Sequence, residues 1–124
     1  MTEGKDTLTS EDLSKVIVKG IQEKKGKEIA VLDLRNINNA IADYFIICSG
    51  TSDTQVESIA RSVEEQVFKI GGEDPWHKEG LNIKEWVLLD YVNVVTHIFK
   101  EDTRNFYGLE DLWGDADITR YEEE

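Results

Sequence analysis

The chain has 124 residues, 40% of them hydrophobic and 32% charged, a balance that suits one soluble globular domain with its own core. Against 26 acidic residues stand 14 basic ones, a net charge of −12, which disfavours nucleic-acid binding through a broad phosphate-neutralising surface. No apolar run approaches the ~20 residues of a membrane span, and the polar N-terminus lacks a signal peptide's apolar segment. The single cysteine, Cys48, allows no internal disulfide, so a reducing, cytoplasmic compartment is the simplest fit.

Residues 1–9 are polar and expected to fray as a flexible N-terminus. Ser10 is placed to cap a helix whose first turn carries Glu11 and Asp12. Leu13, Val16, Ile17, Gly20 and Ile21 make its single apolar stripe, and Gly26 ends it. Ile29 to Leu34 reads as a short strand. Asp43 to Cys48 is a near-continuous apolar run, the pattern of an interior strand covered on both faces. Ser52 and Gln55 then have capping-box spacing for a helix whose stripe is Val56, Ile59, Ala60, Val63, Val67 and Ile70, ended by Gly71-Gly72.

The segment from Glu73 to Lys84 is too polar for core, yet it displays Trp76. An exposed loop Trp marks a contact surface, since Trp is enriched in binding hot spots; the competing reading folds it back over the sheet edge. Trp86 to Phe99 then reads as a hairpin with Val92-Asn93 at its turn. That register sets Leu88 opposite His97 and Trp86 opposite Phe99. Val87, Leu89, Tyr91, Val94, Thr96 and Ile98 share a core face. Trp86, Leu88, Asp90, Val95, His97 and Phe99 share the other, where Asp90 and His97 are diagonal neighbours at roughly 7–8 Å, within reach of a side-chain contact. That pair is either a satisfied structural hydrogen bond or part of a binding surface. Val is a poor fit to a type I′ turn, which needs positive φ at both central residues, so another turn type is expected. A last helix is expected from a Thr103 cap, with Phe106, Leu109, Leu112 and Trp113 apolar and Gly114 at its end. Residues 115–124 read as an acidic mobile tail.

The order α-β-β-α-β-β-α implies one α/β domain, a mixed sheet covered by helices. Catalytic constellations are thin. His77, His97 and Cys48 have no zinc spacing. A Ser52–His97–Asp90 triad can be drawn, but nothing like a nucleophile elbow surrounds Ser52, which serves better as a cap. Asp90 is followed by Asn93, not by a second carboxylate to hold cations for phosphoryl or nucleotidyl transfer. A phosphate site at Gly50-Thr51-Ser52 is disfavoured by Asp53 and by the missing P-loop pattern. No catalytic residue, metal ligand or cofactor is therefore assigned.

Three ordered blocks carry a family resemblance. Asp43-Tyr44-Phe45-Ile46-Ile47-Cys48-Ser49-Gly50-Thr51-Ser52, with Gln55 and Ile59, resembles the first signature block of the ribosomal silencing factors, the RsfS/iojap family. Glu79-Gly80, Trp86 to Tyr91, Val94-Val95, His97 and Phe99 resemble the second. Arg104, Phe106-Tyr107, Leu109-Glu110 and Leu112-Trp113 resemble the third. One departure is Val92-Asn93, where the family usually has Gly-Asp.

The resemblance implies an α/β fold related to nucleotidyltransferases but without their catalytic carboxylates, spanning residues 10–114. It also implies a translational repressor rather than an enzyme. Such a factor binds the large ribosomal subunit through large-subunit ribosomal protein fourteen and sterically blocks subunit joining. An acidic module suits a basic ribosomal protein surface. The residues expected to touch the partner are Trp76, Glu79, Asp90, His97 and Phe99, with Tyr91 structural. An exposed Trp loop and an apolar sheet edge also fit a homodimer in the free form, with the partner competing for that surface. The competing functions are a large-subunit assembly factor and a residual nucleotidyltransferase using Gly50-Thr51-Ser52.

Overall fold

A computed structural model describes residues 8–123. In chain order the elements are α1 (Ser10–Glu23), β1 (Lys27–Asp33), β2 (Tyr44–Gly50), α2 (Asp53–Gly71), β3 (His77–Glu79), β4 (Trp86–Asp90), β5 (Val94–Lys100), α3 (Glu101–Tyr107), α4 (Leu109–Leu112) and β6 (Asp117–Tyr121). They build one six-stranded sheet in the order β3-β4-β5-β2-β1-β6. Only β2 and β5 run parallel; the other pairs are antiparallel. The expected α/β domain with a mixed sheet is what forms.

β2 sits near the centre and every one of its residues is buried, as its unbroken apolar run requires. One face of the sheet packs on α1 and α2: Leu13, Ile17 and Ile21 of α1 and Val56, Ile59 and Val63 of α2 meet Ile46, Val87, Leu89 and Ile98. The two helices approach closely at Gly20, where a Cβ would lie 3.0 Å from the Val63 Cα, and the Ser62 hydroxyl donates to the Gly20 carbonyl at 2.8 Å. The other face is roofed by irregular chain. Leu34 and Ala42 cover Leu32, Phe45, Ile47, Val95 and Phe99, with Leu109 and Trp113 packed beside them.

The hairpin register agrees with the sequence: Trp86 faces Phe99, Leu88 faces His97 and Asp90 faces Val95. All six residues of its expected core face are buried. Ser52 caps α2, its hydroxyl accepting from the Gln55 N–H at 3.1 Å. Gln55 returns the contact to Thr51, whose N–H donates to its side-chain carbonyl at 2.7 Å.

Several expectations are corrected. Thr9, not Ser10, caps α1, accepting from the Asp12 N–H at 3.0 Å. Ser10 is already helical, and its hydroxyl donates to the Asp43 carboxylate at 2.6 Å. Of the expected flexible segment 1–9, residues 1–7 lie outside the described ones, while Leu8 packs on the core. Ile70, expected in the apolar stripe of α2, is exposed; the buried stripe ends at Val67.

The expected last helix is two short ones. Gly108 adopts φ 58° between α3 and α4, Lys100 rather than Thr103 precedes α3, and no side chain caps it. Phe106 and Leu112 consequently face solvent, and Arg104 turns inward. Residues 117–121 of the expected mobile tail form β6, paired along β1 from Asp33–Asp117 to Ile29–Tyr121. Its side chains are mostly exposed, so it has no apolar alternation to betray it; backbone pairing at the sheet edge orders it. The third strand of the β3–β4–β5 meander was likewise hidden, since all three β3 side chains are exposed.

Candidate functional site

The mixed face of the hairpin divides into a roofed half and an open half. In the roofed half Trp86 stacks on Phe99 with ring centres 4.9 Å apart and meets Tyr107 at 4.5 Å. Phe45 lies 4.7 Å from His97 and 5.8 Å from Trp113. The Trp86 indole N–H donates to His97 Nδ1 at 3.1 Å. That bond puts the imidazole proton on Nε2, a buried atom with no partner among the described residues. Burial lowers the His97 pKa to about 4, so the ring is neutral near pH 7. His97 is 4% and Phe99 0% exposed. These two predicted contact residues therefore lie beneath the surface and present almost no area of their own.

The open half lies at the hairpin tip. Ile41, Trp76, Asp90, Val92 and Val95 line a hollow of about 380 Å³. Ile41 and Trp76 are each 76% exposed and Val92 is 56% exposed. Three apolar side chains thus crowd one place in water, which a chain with a complete core does not need for folding.

Backbone bonds hold this cluster in place. The Trp76 N–H donates to the Asp90 carbonyl at 2.8 Å, and the Asn93 carbonyl accepts from the N–H groups of Asp43 and Tyr44 at 2.8 and 3.2 Å. β3 is held close by Gly80 at φ +86°, where a Cβ would sit 1.9 Å from the Trp86 carbonyl oxygen; no other residue fits there.

Asp90 and His97 are not partnered with each other. Asp90 Oδ1 accepts from the Val92 N–H at 2.7 Å, two residues along its own chain. Glu79 stands exposed on β3 with its carboxylate 2.6 Å from His77 Nε2. So the structure gathers Trp76 and Asp90 at one hollow, leaves Glu79 on the neighbouring edge strand, and buries His97 and Phe99. Sequence reasoning missed Ile41, Val92 and Val95. Ile41 is a large apolar residue between two alanines after a turn-rich segment, and Val92 stands where a turn favours Gly or Asn; both are the signal of a bulky apolar side chain placed out of pattern.

A larger hollow of about 460 Å³ lies along α2, lined by Glu57, Arg61, Glu64, Glu65, Phe68, Asp74 and Leu81. Its carboxylates are partly met by Lys78 on Glu64 at 3.2 Å and Lys84 on Glu57 at 3.4 Å. This is a solvated ion-pair surface, worth little energetically.

The candidate catalytic groups are otherwise engaged. Ser52 accepts from Gln55, His97 from Trp86 and Asp90 from Val92. Asp53 holds Lys100 at 2.8 Å, which keeps its carboxyl below the usual range. Burial drives the Cys48 thiol up to about 12, so it is inert. Among the described residues no three His, Cys, Asp or Glu side chains converge to hold a metal.

Residues 7–124 match the protein family described as "Ribosomal silencing factor during starvation". The ribosomal silencing factor RsfS of Bacillus subtilis is 38% identical over 111 residues, covering 90% of this chain and 92% of that protein. The mouse protein named "Mitochondrial assembly of ribosomal large subunit protein 1" is 27% identical over 100 residues, 79% of this chain and 43% of its own length. A crystal structure of a Chromobacterium violaceum protein superposes with a TM-score of 0.80 at 33% identity, covering 86% of this chain and 88% of that one. With that fold and nearly full-length similarity, the chain belongs to the ribosomal silencing factor family.

Proposed function

We propose that this protein represses translation by binding the large ribosomal subunit, through large-subunit ribosomal protein fourteen, and sterically blocking subunit joining. The observation that carries the reading is the exposed apolar cluster of Ile41, Trp76 and Val92 around one hollow. An exposed cluster with an aromatic anchor is how a protein–protein hot spot is built. Asp90 is the charged residue in that lining, and Glu79 stands exposed on the adjacent strand β3, paired with Leu88; with the net charge of −12, they favour a basic partner. Trp76, Glu79 and Asp90 are the predicted contact residues with surface to offer, and His97 and Phe99 stiffen the sheet below. Action by occupancy needs no catalytic group.

The test is sedimentation of the purified protein with isolated large and small subunits through a sucrose gradient at low and moderate salt. Co-migration with the large subunit alone, and loss of joined ribosomes when both subunits are present, is expected. Protein remaining at the top of the gradient in both salts refutes the reading.

A second reading is supported by the mouse relative's name: a factor that assists large-subunit assembly. Deleting the gene separates the roles. Immature large particles indicate assembly; normal particles with poor stationary-phase survival indicate silencing.

A further inference from the structure

Val92 is held in a backbone conformation that costs free energy, and its side chain offsets little of that cost by burial. Its φ is +76°, in the left-handed region where a β-branched side chain crowds its own backbone. The Asn93 N–H donates to the Tyr91 carbonyl at 3.0 Å, so Val92 is the central residue of a three-residue turn of the strained, positive-φ form. Glycine, which has no Cβ to crowd the backbone, takes that conformation at much lower cost. The Val92 side chain is more than half exposed, so burial offsets little of the strain.

The surroundings nevertheless clamp this geometry. Asp90 Oδ1 accepts the Val92 N–H at 2.7 Å, and the Asn93 carbonyl is anchored by two amides at the start of β2. What the strained residue presents is an isopropyl group on the rim of the hollow, beside Ile41, Trp76 and Val95. Strain kept in place by its neighbours is characteristic of binding sites.

Resting on the ribosome-binding reading, we infer that Val92 sets the affinity and selectivity of the docking hollow. Its isopropyl group and the Trp76 indole form walls that receive an aliphatic or aromatic side chain of a basic partner protein. The Asp90 carboxylate in the same lining matches a lysine or arginine carried beside that side chain. A polar or unbranched residue at this turn would keep the hairpin and lose the wall.

The experiment compares wild type with V92G and V92N. Melting curves are taken for each, and binding is titrated by co-sedimentation with purified large ribosomal subunits. V92G relieves the strain, so its Tm is expected to rise by a few degrees. Both variants remove the apolar wall, so Kd is expected to weaken about tenfold. Greater stability with weaker binding is a combination that a merely structural role does not produce. Undiminished binding by both variants while wild type binds overturns this inference alone. A fall in Tm for V92G overturns the strain argument, and with it the inference. Failure of wild type to co-sediment overturns the ribosome-binding reading and this inference together.

Discussion

Trp76 is left in water, outside both hydrophobic clusters of the core, and that makes it the residue whose removal should separate binding from folding. Its side chain is largely exposed and its anchoring bond comes from the backbone N–H. Trp76→Ala should therefore leave Tm within about 1–2 °C of wild type, as surface changes stay within roughly ±0.5 kcal/mol. Its binding to large subunits should weaken at least tenfold, the loss expected of a hot-spot Trp. Equal co-sedimentation of wild type and variant would remove the hollow from consideration.

His97 makes the opposite kind of prediction. Burial lowers its pKa from 6.5 to about 4, so the folded state keeps it neutral while the unfolded chain protonates it below pH 6.5. The unfolded state binds more protons between those values, so stability is lost as pH falls through this window. Between pH 7 and pH 5 the loss attributable to His97 should be roughly 2 kcal/mol. In His97→Gln that component should vanish from denaturant melts at the two pH values, even though the variant is less stable at pH 7.

At the scale of elements, α3 and α4 are short, separated by a glycine, and bury little of their own surface, so something besides helix propensity must hold them. Arg104 does so. Its guanidinium, nearly buried, donates to Glu110 through Nε and Nη2 at 3.1 and 3.0 Å. Through Nη1 it reaches the Glu28 carbonyl at 2.6 Å and the Ser49 hydroxyl at 2.8 Å. One side chain thereby ties α3 to α4, to β1 and to the end of β2. Burial pushes the Glu110 pKa up, but its bonds to Arg104 and Arg120 together outweigh this and hold it below the usual range. Arg104→Ala should cost roughly 2–4 kcal/mol in urea unfolding, less than a fully buried pair because Glu110 keeps some solvent. Arg104→Lys should recover little, since a point charge cannot bridge four acceptors in a planar fork. A neutral result for Arg104→Ala would mean that the roof over Phe45 and Phe99 holds without this tie.

At the scale of the whole molecule, the net charge of −12 acts on encounter more than on the bound state. Attraction to a basic ribosomal protein surface should raise the association rate at low salt and fade as the Debye length shrinks from roughly 10 Å at 0.1 M. Raising salt from 50 to 300 mM should therefore slow association with large subunits several-fold while changing dissociation little. Rates measured by surface plasmon resonance on immobilised subunits would show it; a salt effect confined to dissociation would mean that buried ion pairs, not steering, dominate.

Much of the architecture was legible in local patterns. The stripes of α1 and α2, the unbroken apolar run of β2 and the alternation of β4 and β5 each reflect a side chain's need to leave water, and that need is written residue by residue. The hairpin register followed from the same alternation, and it held even though Val92 adopts a turn that its own shape opposes. Two things were not legible. β3 and β6 are joined to the sheet by backbone bonds while their side chains stay in solvent, so they leave no hydrophobic period. The break at Gly108 did carry a local signal, since an interior glycine costs a helix about 1 kcal/mol and readily takes the left-handed φ that ends one. The hollow brings Ile41, Trp76 and Val92 together from three separate connections, and only long-range packing could place them side by side. The same packing buried His97 and Phe99, whose shared face looked open when read from one strand alone. Composition and periodicity say which atoms avoid water; which polar backbone finds a partner, and which apolar residues remain outside, depends on contacts between segments far apart in the chain.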